Sequence, residues 1–177
     1  NVHPHEITDF SITLAWDPVK HATGYHVFQR EENSDNYLQI ASTGDLYYIV
    51  YDLEQATDYS FYVKAYNGSS ESEEYTPLEN ISTLLRQEHI TNISSTEAQT
   101  VHVEWDTNEV ADGYLLEFHT IGKNFSDENK ITIHEGEPNV YNITDLKPLA
   151  HIGVRVTAFA NRDGKQVWGT PSNEKAI

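Results

Sequence analysis

The sequence predicts an all-β protein made of two β-sandwiches in tandem, and three observations carry that expectation. Residues 59–66 alternate Tyr59, Phe61, Val63 and Ala65 with Ser60, Tyr62, Lys64 and Tyr66, the period-two pattern of a half-buried strand. No window repeats its apolar residues at the three-to-four spacing of a helix. The plan of the first half also recurs in the second, with landmarks displaced by 89 residues early in the unit and by 93 late in it.

Residues 11–16 put Ile12, Leu14 and Trp16 on one face and then meet the turn signal Asp17-Pro18, so they read as a strand that delivers a core tryptophan. Residues 24–30 form the next strand, with Tyr25 and Val27 expected inward and His26 and Phe28 outward. A polar turn is expected at 31–36, with short strands at 37–41 and 47–51. Leu53 then opens a polar corner six residues before Tyr59. A tyrosine at that spacing can bury its ring and bond its hydroxyl back to nearby backbone. Residues 67–74, rich in Gly, Ser and Glu, are expected as a hairpin loop, and 75–83 as the closing strand. The amino-terminal His3-Pro4-His5 is expected to be a frayed end.

Val101, Val103 and Trp105 answer Ile12, Leu14 and Trp16, and Gly113-Tyr114 answers Gly24-Tyr25, all 89 residues on. Leu146 answers Leu53 and Ala158 answers Ala65, both 93 residues on, so four residues are inserted in between, around 122–129. The expected domains are 1–84 and 85–177. Their junction, around 84–88, has neither Pro nor Gly and suits a restricted connection more than a loose tether.

A formal charge of −17, from 28 acidic and 11 basic residues, repels phosphate backbones and anionic lipid surfaces. Nucleic acid and direct membrane binding are therefore not expected. With no cysteine there is no disulfide framework and no thiolate chemistry. Five Asn-x-Ser/Thr sequons, at Asn67, Asn80, Asn92, Asn124 and Asn142, are candidate glycosylation sites. Chance would place about two among 13 asparagines and 28 serines and threonines, so the excess points to an extracellular location. No apolar run approaches a membrane span and no leader is evident. A chain that starts at Asn1 and stops just past a strand is expected to be part of a longer secreted or membrane-anchored protein.

Nothing in the sequence assembles a nucleophile, a base and an orienting group, and the phosphate-loop and zinc-protease motifs are missing. No enzyme activity, catalytic residue or cofactor is expected. No metal is expected either, since His3 and His5 lack a third ligand and Glu71, Glu73 and Glu74 are too few for calcium. Asp163-Gly164 within 161–165 reads as a hairpin turn.

Trp16, Gly24-Tyr25, Leu53, Tyr59, Val63 and Ala65 together resemble a fibronectin type III repeat. Trp105, Gly113-Tyr114, Leu146, Pro148, Val154, Val156, Ala158 and residues 169–172 (Gly-Thr-Pro-Ser) resemble a second. The resemblance implies two immunoglobulin-like, seven-stranded sandwiches. It also implies protein recognition and spacing in the ectodomain of a cell-surface receptor or adhesion protein, similar to the receptor-type protein tyrosine phosphatases. A structural repeat of a matrix glycoprotein is the alternative. Two departures stand out. Ile152 occupies the place of the second corner tyrosine, so no side-chain tether is expected there. Arg162-Asp163-Gly164 is not the integrin-binding Arg-Gly-Asp of some relatives. Cytokine-receptor modules, with paired cysteines and a Trp-Ser-x-Trp-Ser box, resemble the chain poorly.

The expected contact surface is aromatic. Phe28, Tyr62 and Tyr66 fall at outward positions of neighbouring strands, with Arg30 and Lys64 beside them, and such residues anchor protein interfaces. The competing reading has these rings shielding one another or lying under a sugar on Asn67. The partner would be another extracellular or cell-surface protein, beside neighbouring domains of the same parent chain.

Overall fold

The alternating segments of the first half become two antiparallel sheets in the computed structural model. The structure describes residues 1–30, 35–73, 75–126 and 129–177. One sheet has the order β1 (Val2–Ile7), β2 (Ile12–Trp16), β5 (Tyr47–Val50). The other runs β4 (Tyr37–Thr43), β3 (Gly24–Arg30), β6 (Asp58–Asn67), β7 (Ser70–Glu71), with β8 (Leu78–Ser82) also on β6. Ile12, Leu14 and Trp16 from the first sheet pack against Tyr25, Val27, Phe61 and Ala65 from the second. Burying each large side chain stabilises the sandwich by about 1.5–3 kcal/mol. Trp16 lies 5.5 Å from the Tyr25 ring, whose hydroxyl accepts the Val19 N–H at 3.0 Å.

The corner also forms. Asp52 and Ala56 take left-handed backbone, at φ 58° and 50°, to turn the chain. The Tyr59 hydroxyl accepts the Glu54 N–H at 2.9 Å.

Three expectations for this unit are corrected. The amino terminus is not frayed: β1 pairs with β2 from Val2 to Ile7, and a bulge between Pro4 and Glu6 accommodates the proline that cannot donate to the ladder. The loop after β6 is tighter than expected, because Ser70 and Glu71 fold back onto Asn67 and Tyr66 around Gly68 at φ 61°. The closing strand is broken into β7 and β8, and Tyr75 belongs to neither. Residues 31–34 of the turn expected at 31–36, and the loop residue Glu74, lie outside the described residues.

The second unit repeats the design with β9 (Ile90–Glu97), β10 (Thr100–Trp105) and β13 (Val140–Ile143) in one sheet. Its other sheet holds β12 (Lys130–His134), β11 (Gly113–Thr120), β14 (Ile152–Arg162) and β15 (Lys165–Trp168), with β16 (Lys175–Ala176) on β14. Trp105 lies 5.6 Å from Tyr114, and the Tyr114 hydroxyl accepts the Asn108 N–H at 2.8 Å, the same arrangement as Trp16 and Tyr25. Leu53 donates to the Phe10 carbonyl and Leu146 to the Gln99 carbonyl, so both corners are tied to the same point of the fold. Ile152 fills the corner position at 1% exposure, and its polar link is its backbone paired with Ile177 at 3.0–3.1 Å.

The chain forms two compact units, Asn1–Leu84 and Leu85–Ile177. Residues 85–88 are not a free linker but packed parts of the second unit: Leu85 bridges Gly169 and is buried, and Glu88 is fully buried with Oε1 accepting from Asn108 Nδ2 at 2.8 Å. Of the insertion expected around 122–129, Asp127 and Glu128 lie outside the described residues.

Candidate recognition face

Every second side chain of β3 and β6 must point away from the core, and in the first unit those positions carry rings and cations. Phe28 pairs with Tyr62 across the strands, and the two rings stack with centroids 4.5 Å apart. Tyr75 stacks on Tyr62 at 4.1 Å, and Tyr37 of β4 tilts against it at 4.8 Å. Tyr62 is thereby left only 8% exposed, although it sits on the outer face. Burial pushes the phenols of Tyr62 and Tyr37 above the ordinary value.

One end of this row is polar. Lys64 Nζ stands 5.3 Å from the Tyr75 centroid and 3.3 Å from Glu71 Oε2. His26 Nδ1 lies 2.6 Å from the other Glu71 oxygen and its ring stacks on Tyr66 at 4.4 Å. Glu71 is held below the usual carboxylate range, first by the hydrogen bond to His26 and also by Lys64. Tyr66 covers Gly24, where any Cβ would collide with its ring, so this tyrosine also has a packing role. At the other end Arg30 Nη2 donates to Asn80 Oδ1 at 3.5 Å.

All five candidate contact residues, Phe28, Arg30, Tyr62, Lys64 and Tyr66, thus sit on one sheet face. Sequence reasoning missed Tyr37, Tyr75 and Glu71 as their neighbours. Tyr37 could have been found from its place opposite Arg30 in the hairpin, but Tyr75 lies outside any ladder and left no periodic signal.

The second unit treats the same positions differently. Glu117 and Arg155 replace Phe28 and Tyr62 as the cross-strand pair, with Arg155 Nε 2.6 Å from Glu117 Oε2 and Lys130 Nζ 3.6 Å from Oε1. Phe125 from the inserted segment lies 4.0 Å from the Arg155 guanidinium and 4.4 Å from His119. The aromatic row is therefore a property of the first unit.

The five sequon asparagines, Asn67, Asn80, Asn92, Asn124 and Asn142, are all exposed. His102 Nδ1 lies 2.7 Å from Asn142 Oδ1 and its Nε2 2.8 Å from Glu104 Oε1. His3 and His5 are exposed on β1, and among the described residues no three acidic or histidine side chains converge on a metal-sized point. Asp163 and Gly164 turn the last hairpin at φ 48° and 78°, while Arg162 is held by the Val110 carbonyl and Asp112.

Residues 1–81 match the family model of the fibronectin type III domain. Human Protogenin is 26% identical over 192 residues, covering 99% of this chain but only 16% of that protein. A two-domain fibronectin type III segment of chicken tenascin superposes with a TM-score of 0.61 at 16% identity, covering 100% of this chain and 97% of that one. The chicken interferon gamma receptor alpha chain gives 0.61 and 16%, covering 100% and 95%. At such identity the structural likeness speaks to fold alone. The chain folds as two β-sandwiches in tandem, like the two-domain tenascin segment, and its first 81 residues match the sequence model of the fibronectin type III domain.

Proposed function

We propose that this tandem is an extracellular protein-recognition and spacer segment of a cell-surface adhesion or receptor ectodomain, and that the outer face of β3 and β6 is its contact surface. The observation behind this reading is the row Phe28, Tyr62 and Tyr75, flanked by Arg30 and Lys64, in a unit that otherwise has only Lys20 as a basic Lys or Arg. Two of three such cations on one aromatic face is an uneven distribution, and aromatics with arginine are the usual anchors of interfaces. The exposure of all five sequon asparagines and the similarity to Protogenin support an ectodomain. A receptor-type phosphatase parent remains one form of this proposal.

The burial of Tyr62 favours a second reading, in which the rings complete the fold and the tandem only spaces its neighbours, as in a matrix glycoprotein. One experiment separates the two. The tagged tandem is applied to cells that each display one receptor or adhesion ectodomain, alongside Phe28→Ser and Arg30→Glu variants checked for an unchanged circular dichroism spectrum. Recognition predicts a binder lost in both variants. Binding that survives both, or no binder at all, favours the spacer.

A further inference from the structure

The two units treat their other sheet in opposite ways. In the second, Asn92 stands opposite Glu104 and Asn142 opposite His102 across β10, so two exposed sequon asparagines flank a charged face. At the equivalent register positions the first unit has His3 opposite Ala15 and Ile49 opposite Thr13. Residues 46–51 read Leu-Tyr-Tyr-Ile-Val-Tyr, with no charge, Gly or Pro. Leu46, Tyr47 and Tyr51 are 40%, 53% and 57% exposed, and Phe10 alongside is 53% exposed.

This strip includes an open edge. Among the described residues β5 pairs only with β2. Exposed edges invite strand pairing, and proteins usually blunt them with proline, charge, bulges or cover. β1 has Pro4 and a bulge, β4 has a bulge opposite Val27 and Phe28, and β13 carries Asn142. β5 has none of these.

Charge selects the occupant. Asp45 precedes β5, and Asp52 and Glu54 follow it, all exposed. Among the described residues this unit's side-chain ion pairs engage Asp17 and Glu71 instead. A second copy pairing antiparallel about Tyr48 and Ile49 would set Asp45 against Asp52, so self-pairing is opposed by like charge. We propose that β5 is a docking edge for an extended segment of a partner protein, apolar in its middle and basic at both flanks, which adds as a strand beside Tyr47–Val50. Main-chain hydrogen bonds would supply affinity, and the rings and flanking acids would supply selectivity. This surface is independent of the β3–β6 face.

The test uses the full chain and two synthetic peptides with a shared Val-Thr-Val-Tyr-Val core, one flanked by Lys-Arg pairs and one by Glu pairs. Calorimetric titration is combined with amide hydrogen exchange at 47–50. The basic peptide is expected to bind and to slow exchange there, and the acidic peptide to do neither. Ile49→Lys, and Tyr47→Lys as an alternative should the first misfold, are expected to weaken binding by at least about ten-fold. Four results would overturn the proposal: no binding up to about 1 mM, equal binding of both peptides, binding unchanged in both variants, or a dimer of the chain that Ile49→Lys dissolves.

Discussion

Glu117 shows how far a single residue can depart from its neighbourhood's pattern. Its outward position follows from the alternation of β11, yet it is 4% exposed, with Arg155 and Lys130 paired to its carboxylate and Phe125 packed on the Arg155 guanidinium. Glu117→Ala would leave two cations against a face shaped for a carboxylate. Because Arg155 and Lys130 are about one-third exposed, water offsets part of that loss, and a destabilisation of about 2 kcal/mol is expected in urea unfolding of the second unit. His102 is a pH-dependent counterpart. Its bond to Glu104, and secondly that to Asn142, hold it above the ordinary 6.5. A raised value means that this stabilisation is fully present below pH 6.5 and is lost as pH rises through the folded-state value. Replacing His102 with Gln should flatten that part of the second unit's stability profile. An unchanged profile by pH-scanned thermal unfolding would remove the histidine from it. Glu104 shares a face with His102 by simple alternation, but the Arg155 and Asn142 contacts were not legible in the sequence, since both reach their partners only through strand register.

At the scale of elements, the corners test how one design tolerates different residues. Tyr59→Phe removes the acceptor for Glu54 N–H and should cost the first unit about 1 kcal/mol, read as a lower thermal midpoint. In the second unit, the position equivalent to buried Ala56 is Leu149, 98% exposed at φ 58°. Leu149→Gly relieves a left-handed leucine, worth about 1–2 kcal/mol, against glycine's entropic cost of about 0.5–1 kcal/mol. A small rise in that unit's midpoint is expected, and a fall would show that the leucine is held by something other than its backbone. The strands with clean alternation, such as Ile12–Trp16 and Gly24–Arg30, were legible because one face is buried. β1 was not, because only half-buried Val2, Pro4 and Ile7 mark its inner side and its proline argues against a strand. The split closing strand was hidden for a related reason: Tyr75, between its parts, packs on the outside of Tyr62 and not into the core.

For the molecule as a whole, the 89- and 93-residue offsets made the duplication visible before any coordinates, since tryptophan, glycine-tyrosine and leucine landmarks are demanded by the same packing twice. The proposed recognition face was legible in part. Phe28 and Tyr62 follow from strand adjacency, whereas their enclosure by Tyr37 and Tyr75 depends on contacts distant in sequence. What the units do not share, an aromatic row against an ion pair and a bare edge against a sequon, is where the two halves are expected to differ in function. If each half owns its core, residues 1–84 and 85–177 expressed separately should each unfold in one cooperative calorimetric transition, with calorimetric and van't Hoff enthalpies equal. A half that gives no transition by itself, while the intact chain melts as a single unit, would contradict two sandwiches of one design.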